Sequence, residues 1–212
     1  MRTVLVLVFL GVASFFGYMI YKSIQDPIDY LKLHGERYDA TVERLNEIKK
    51  AEVAYKDAYG KYTSSFDSLI NFVEHDSLTR VRSIGELTDE MIEKGITEEK
   101  AVKEGIIIRE EFKVSVKEEI FEKGFDAKQL RYVPFTDKEF MLRDSVLKSA
   151  AFQDIPVFEA RVHNNTMLTG LEDRYEQLII NTNEEMRVNK KYPGLFVGSV
   201  DEINNNAGSW EN

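Results

Sequence analysis

Thr3-Val4-Leu5-Val6-Leu7-Val8-Phe9-Leu10-Gly11-Val12-Ala13-Ser14-Phe15-Phe16-Gly17-Tyr18-Met19-Ile20-Tyr21 carries no charged side chain. At 1.5 Å of helical rise per residue this stretch spans roughly 28 Å, close to the ~30 Å hydrocarbon core of a bilayer. It predicts a transmembrane signal-anchor over residues 1–22. Arg2 and the amino terminus precede it, Lys22 alone follows closely, and Asp26 and Asp29 lie just beyond. The positive-inside rule then places the N-terminus in the cytoplasm and the rest of the chain outside. Tyr18 and Tyr21 fall at the outer interface, and no ionisable group inside the span marks a proton or ion path. Ala13 and Gly17 form a small-xxx-small pair, for which facing lipid is the default. The alternative is a cleaved signal peptide ending at Val12-Ala13-Ser14, against which the apolar run continues through Phe15, Phe16, Met19 and Ile20.

Outward from the span, Asp26-Pro27 reads as a break or as the start of a new helix. Tyr38, Val42, Leu45, Ile48, Ala51 or Glu52, and Tyr55 then recur at spacings of three and four. Glu43, Glu47, Lys49, Lys50 and Lys56 fill the opposite face, so an amphipathic stalk helix is expected from about Ile28 to Tyr59, with Gly35 its weak point and Gly60 its end. Ser64 or Ser65 caps a second helix carrying Phe66, Leu69, Ile70 and Val73, which completes a helical hairpin. Residues 23–78 are thus stalk and hairpin.

Residues 79–203 read as an α+β domain, mainly antiparallel β with short helices, ahead of a polar tail at 204–212. Expected strands are Val81–Ile84, Ile106–Val116 with an irregularity at Glu110-Glu111, Gln129–Pro134, Phe140–Val146, Pro156–His163 and Leu195–Val200. Expected helical pieces are Thr88–Lys94, Thr97–Glu104 and Leu171–Val188, with Gly95 and Gly105 ending the first two.

Composition narrows the function. The chain has 37 acidic against 28 basic side chains, a net charge of -9. Without Arg2 the remainder is 27 against 37, or -10. No basic face free of interleaved Glu is present to neutralise phosphates, so nucleic acid is not an expected partner. The absence of cysteine removes disulfides, thiolate metal sites and Cys nucleophiles. Thirteen Phe and ten Tyr against one Trp indicate a core of single-ring aromatics.

Chemistry-bearing patterns are sparse. His34, His75 and His163 have no metal-ligand spacing and read as surface or capping residues; no metal and no cofactor are expected. The pairs Glu110-Glu111 and Glu118-Glu119 would face opposite sides of a strand, which denies them shared acid–base work. Gly194 to Ser199 lacks the spacing of a phosphate loop or a nucleophile elbow. Asn164-Asn165-Thr166 is a formal glycosylation acceptor, discounted for an expected bacterial host. Trp210 stands in the polar tail, where it docks either on the domain or on a partner. The interaction residues expected are Tyr38, Val42, Leu45, Ile48, Tyr55 and Trp210.

The run from Ile48 through Ala51, Ala54, Tyr55, Gly60 and Tyr62 to Thr63, behind an apolar helix, resembles the stalk of type IV pilins and type II secretion pseudopilins. It departs from their pattern in having no Glu early in the apolar run and no basic leader ending in Gly. Over its length the chain is similar to a family of uncharacterised membrane-anchored proteins of Bacteroidota-type bacteria. Tyr59 to Ile70, Leu130 to Phe135, Pro156 to Ala160 and Tyr192 to Trp210 carry that likeness. The resemblance implies an inner-membrane protein with its bulk in the periplasm and brings no activity or functional residues with it. With no constellation of catalytic residues assembled by the sequence, the chain is expected to be non-enzymatic, a structural or interaction protein partnered by other envelope proteins. The alternative is an accessory subunit of a trans-envelope energy-transduction or transport complex.

Overall fold

The computed structural model describes residues 1–93, 95, 97–148 and 152–211. One helix, α1, runs without interruption over Arg2–Tyr59, about 87 Å at 1.5 Å per residue. Asp26-Pro27 is therefore neither a break nor a start. Pro27 lies inside the helix, and the turn around it is held from outside: Arg174 reaches Asp26 Oδ1 at 2.7 Å and Asp29 Oδ2 at 3.0 Å. The helix ends where Gly60 takes φ 75° and donates its N–H to Lys56 O at 2.7 Å. That left-handed conformation carries little strain only for glycine.

Ser65 caps α2 (Phe66–His75) by accepting from Ser68 N. Phe66, Leu69, Phe72 and Val73 turn inward, closing the expected hairpin against α1. Next, β1 (Ser77–Ile84) pairs antiparallel with β2 (Ile108–Ser115) in an exposed two-stranded ribbon. Its register is unbroken, Val81 opposite Glu111 and Arg82 opposite Glu110, so the irregularity expected at Glu110-Glu111 is absent. Between the strands lie α3 (Asp89–Glu93) and α4 (Glu98–Lys103), the latter capped by Thr97. Lys94, the last residue of the helical turn expected there, lies outside the described residues.

After β2 the chain forms α5 (Val116–Ile120) and a short 3-10 turn at Ala127–Arg131. The turn replaces the strand expected at Gln129–Pro134. Asp126 Oδ1 accepts from Lys128 N and starts it, while Leu130 and Val133, three apart, are both buried. Strands β3 (Met141–Lys148), β4 (Asp154–His163) and β5 (Gly194–Gly198) make a three-stranded antiparallel sheet in the order 3-4-5. The helices α6 (Asn164–Met167) and α7 (Glu172–Val188) connect β4 to β5.

Period-two alternation puts Phe158, Ala160 and Val162 of β4 on the face that meets α1, beside Leu142, Leu195 and Val197. Leu45, Ile48 and Ala51 press into this face, and all three are fully buried. A single core thus extends from Tyr30 on α1 to Val197 on β5. Burying a side chain the size of Leu45 or Ile48 stabilises the fold by about 1.5–3 kcal/mol each.

The segment expected as a polar tail is part of the fold as far as Glu211; Asn212 lies outside the described residues. Gly208 forms a bridge with Val197, Ser209 N donates to Phe196 O at 2.9 Å, and Glu211 lies 3.5 Å from Lys49 Nζ. Trp210 lies over Gly208 so closely that a Cβ there would collide with its ring.

Candidate interaction surface

The stalk stripe divides between interior and surface. Leu45 and Ile48 are fully buried in the domain's own core, and Tyr55 is half-buried with its ring edge-on to Phe72 at 5.2 Å. Tyr38 and Val42 lie at the margin of the stripe, half-buried, where they meet Trp210 across a groove of about 720 Å³. Its far wall is Ile120, Phe121 and Phe125; the two phenylalanine rings are parallel within 3° at a centroid separation of 4.0 Å. Along the rim stand Asp39, Glu43, Glu47 and Glu122 against a single cation, Lys50. Among the described residues Asp39, Glu43 and Glu122 have no basic side chain within salt-bridge distance.

A second groove of about 440 Å³ borders the same ridge and shares Glu43 and Glu47, with Tyr132, Pro134 and Phe135 opposite. Here the charge is compensated from within. Arg44 Nη2 donates to Gln129 Oε1 at 3.0 Å, and Arg44 Nε lies 3.1 Å from Glu47 Oε2 without the alignment of a hydrogen bond. Burial pushes the Glu47 carboxyl up and Arg44 partly offsets it. Among the described residues, the acids of this ridge that lack an ion-pair partner, Asp39 and Glu43, line the first groove, whereas Glu47 is paired with Arg44.

Inside the stalk, Glu52 is fully buried. Its Oε2 accepts from Thr63 N at 3.1 Å, while Oε1 has no hydrogen-bond partner. Burial drives its pKa up to about 8, against the Thr63 hydrogen bond and with Asp144 adding to the rise. The side chain is therefore mostly a neutral acid at pH 7, closed off from solvent.

The remaining chemical candidates are accounted for structurally. His163 Nδ1 accepts from Asn165 N and caps α6, His75 is exposed, and His34 lies between Tyr30 and Tyr38, its pKa lowered by burial. Among the described residues no group of three or more His, Asp or Glu side chains is arranged to hold a metal ion. Glu110 lies 3.5 Å from Arg82 while Glu111 pairs with Val81, and Glu118 and Glu119 fall in the first turn of α5 rather than in a strand. Asn164 is buried and donates to Asn183 Oδ1 at 3.0 Å, so its amide is committed to the interior. Sequence reading missed Phe121, Phe125 and the rim acids as a group. Their one local signal is the spacing of Phe121 and Phe125 four apart around Gly124. No family model, curated protein or solved structure matches this chain.

Proposed function

We propose that this chain is a non-enzymatic membrane-anchored interaction protein, held in a bacterial inner membrane by its N-terminal helix with its domain in the periplasm. It serves, pilin- or pseudopilin-like, as a component of an envelope assembly. The observation that supports this most is the continuity of α1: one helix is long and apolar enough over its first third to span a bilayer, and the same helix forms the spine of the folded domain. No joint separates anchor from domain. A tether of this kind holds a binding surface at a fixed height and orientation, which suits assembly rather than turnover of a diffusing substrate.

Expression in a Gram-negative host followed by fractionation tests the reading. The full-length chain is expected in the membrane pellet after alkaline wash, released by detergent, and digested by protease added to the outer face of spheroplasts. Recovery of a soluble chain starting at Phe15 overturns it.

A further inference from the structure

Resting on that reading, we propose that the aromatic groove beside the stalk receives a cationic, partly apolar segment of another protein. In this assignment a Lys or Arg side chain of the partner lays its aliphatic stem along Phe121, Phe125 and Trp210 and brings its charge to Asp39, Glu43 and Glu122. The groove combines the two features such a side chain requires. Aromatic rings offer apolar contact and an attractive quadrupole for a cation, and carboxylates lining the same groove supply opposite charge.

Charge complementarity selects the occupant. The chain neutralises three neighbouring acids itself: Arg44 serves Glu47, Arg80 serves Glu119, and Lys49 serves Glu211. The three rim acids on the aromatic side are left without a cation among the described residues, and Lys50 is the one ammonium lining the groove. An anionic or purely apolar occupant would bury these carboxylates uncompensated, at a cost of several kcal/mol for each ion that is fully enclosed. A lipid headgroup is out of reach. Residues 38–50 stand about 24 to 42 Å along the helix from Lys22, beyond the headgroup layer that flanks the span.

Trp210 is the sole tryptophan in the chain and lines the groove, so its fluorescence reports occupancy. The full-length protein in nanodiscs of neutral lipid is titrated with a short aromatic-free peptide of Lys, Val and Ser, and with the same peptide carrying Glu in place of Lys. Calorimetry follows both titrations. A saturable response to the Lys peptide is expected, weakened by salt, with none to the Glu peptide. The combined variant Asp39→Asn, Glu43→Gln, Glu122→Gln changes only exposed residues and is expected to lose at least tenfold in affinity with its melting temperature unchanged. Equal binding of the two peptides, full affinity in the variant, or no saturable binding of the Lys peptide by either method overturns the assignment. A failed titration with the protein still resident in membranes removes the groove's role and leaves the tether standing. A protein recovered in the soluble fraction removes the tether whatever the peptide does.

Discussion

The two halves of α1 share one backbone and obey opposite rules. Over residues 3–21 apolar residues cover every side and are exposed; Leu7, for instance, is 68% exposed. In the second half a stripe through Leu45, Ile48 and Ala51 is sealed by the domain, and Ile48 is 0% exposed. Hydrophobicity alone does not distinguish Leu7 from Ile48. What differs is the arrangement around the helix: an all-round apolar surface calls for an apolar solvent, whereas a one-sided stripe calls for a protein partner. The change falls at Lys22 to Asp29, where charges first appear and Arg174 of α7 grips the helix.

Substitutions that ignore this division break the molecule in different ways. The largest effect is expected from Ile48→Asp, which loses core packing and buries an unpaired charge for a loss of about 5 kcal/mol or more. Thermal or urea unfolding of the detergent-solubilised protein measures it, and an unchanged midpoint would refute the core placement of the stripe.

Glu52→Gln probes the same half through pH. The folded pKa of about 8 lies above the ordinary 4.5, so the folded state keeps a proton that the unfolded chain releases between those values. The contribution is whole below about pH 4.5 and is lost as the pH rises to about 8, of the order of 5 kcal/mol in total. Against wild type, the variant is expected to melt similarly at pH 5 and distinctly higher at pH 9. Parallel melting curves across that range would contradict a buried neutral acid.

In the first half, Leu10→Asp places a charge near the centre of the span, where insertion is disfavoured by about 3 kcal/mol. Membrane recovery is expected to fall while the melting of the domain in detergent stays as in wild type. Coupled loss of both would mean that the two halves are not independent. The smallest effect is expected at Gly35, where an added Cβ meets nothing within 4 Å. Gly35→Ala should raise stability by about 0.5–1 kcal/mol through lower helix entropy cost, read as a higher unfolding midpoint.

Local patterns in the sequence reached as far as local forces do. The stripe from Tyr38 to Tyr55 and the cap at Ser65 were readable because helical spacing and a serine before an apolar run each act within one or two turns. β3, β4, β5 and α7 were placed within a few residues for the same reason. Local rules read Pro27 as a boundary, whereas the contacts that hold the turn around it come from Arg174, nearly 150 residues away. Leu130 and Val133 mimic a strand over so short a run, and the capping by Asp126 decides for a turn. In the groove, Tyr38 and Trp210 stand out in the sequence one by one, but nothing local brings Phe121 and Phe125 to them. That meeting is a product of topology, as is the burial of Glu52 under the loop at Thr63.

The closure of the core over the stalk also sets an order of events during synthesis. The stripe on α1 leaves the ribosome early, yet much of what covers it, from Phe158 on β4 to Trp210, is made last. Contacts so remote in sequence form slowly, and until they do the nascent helix presents a bare apolar flank. Premature termination anywhere before β5 would leave that flank uncovered, so shortened chains of this protein are expected to be targets for chaperones and proteases rather than partly working products.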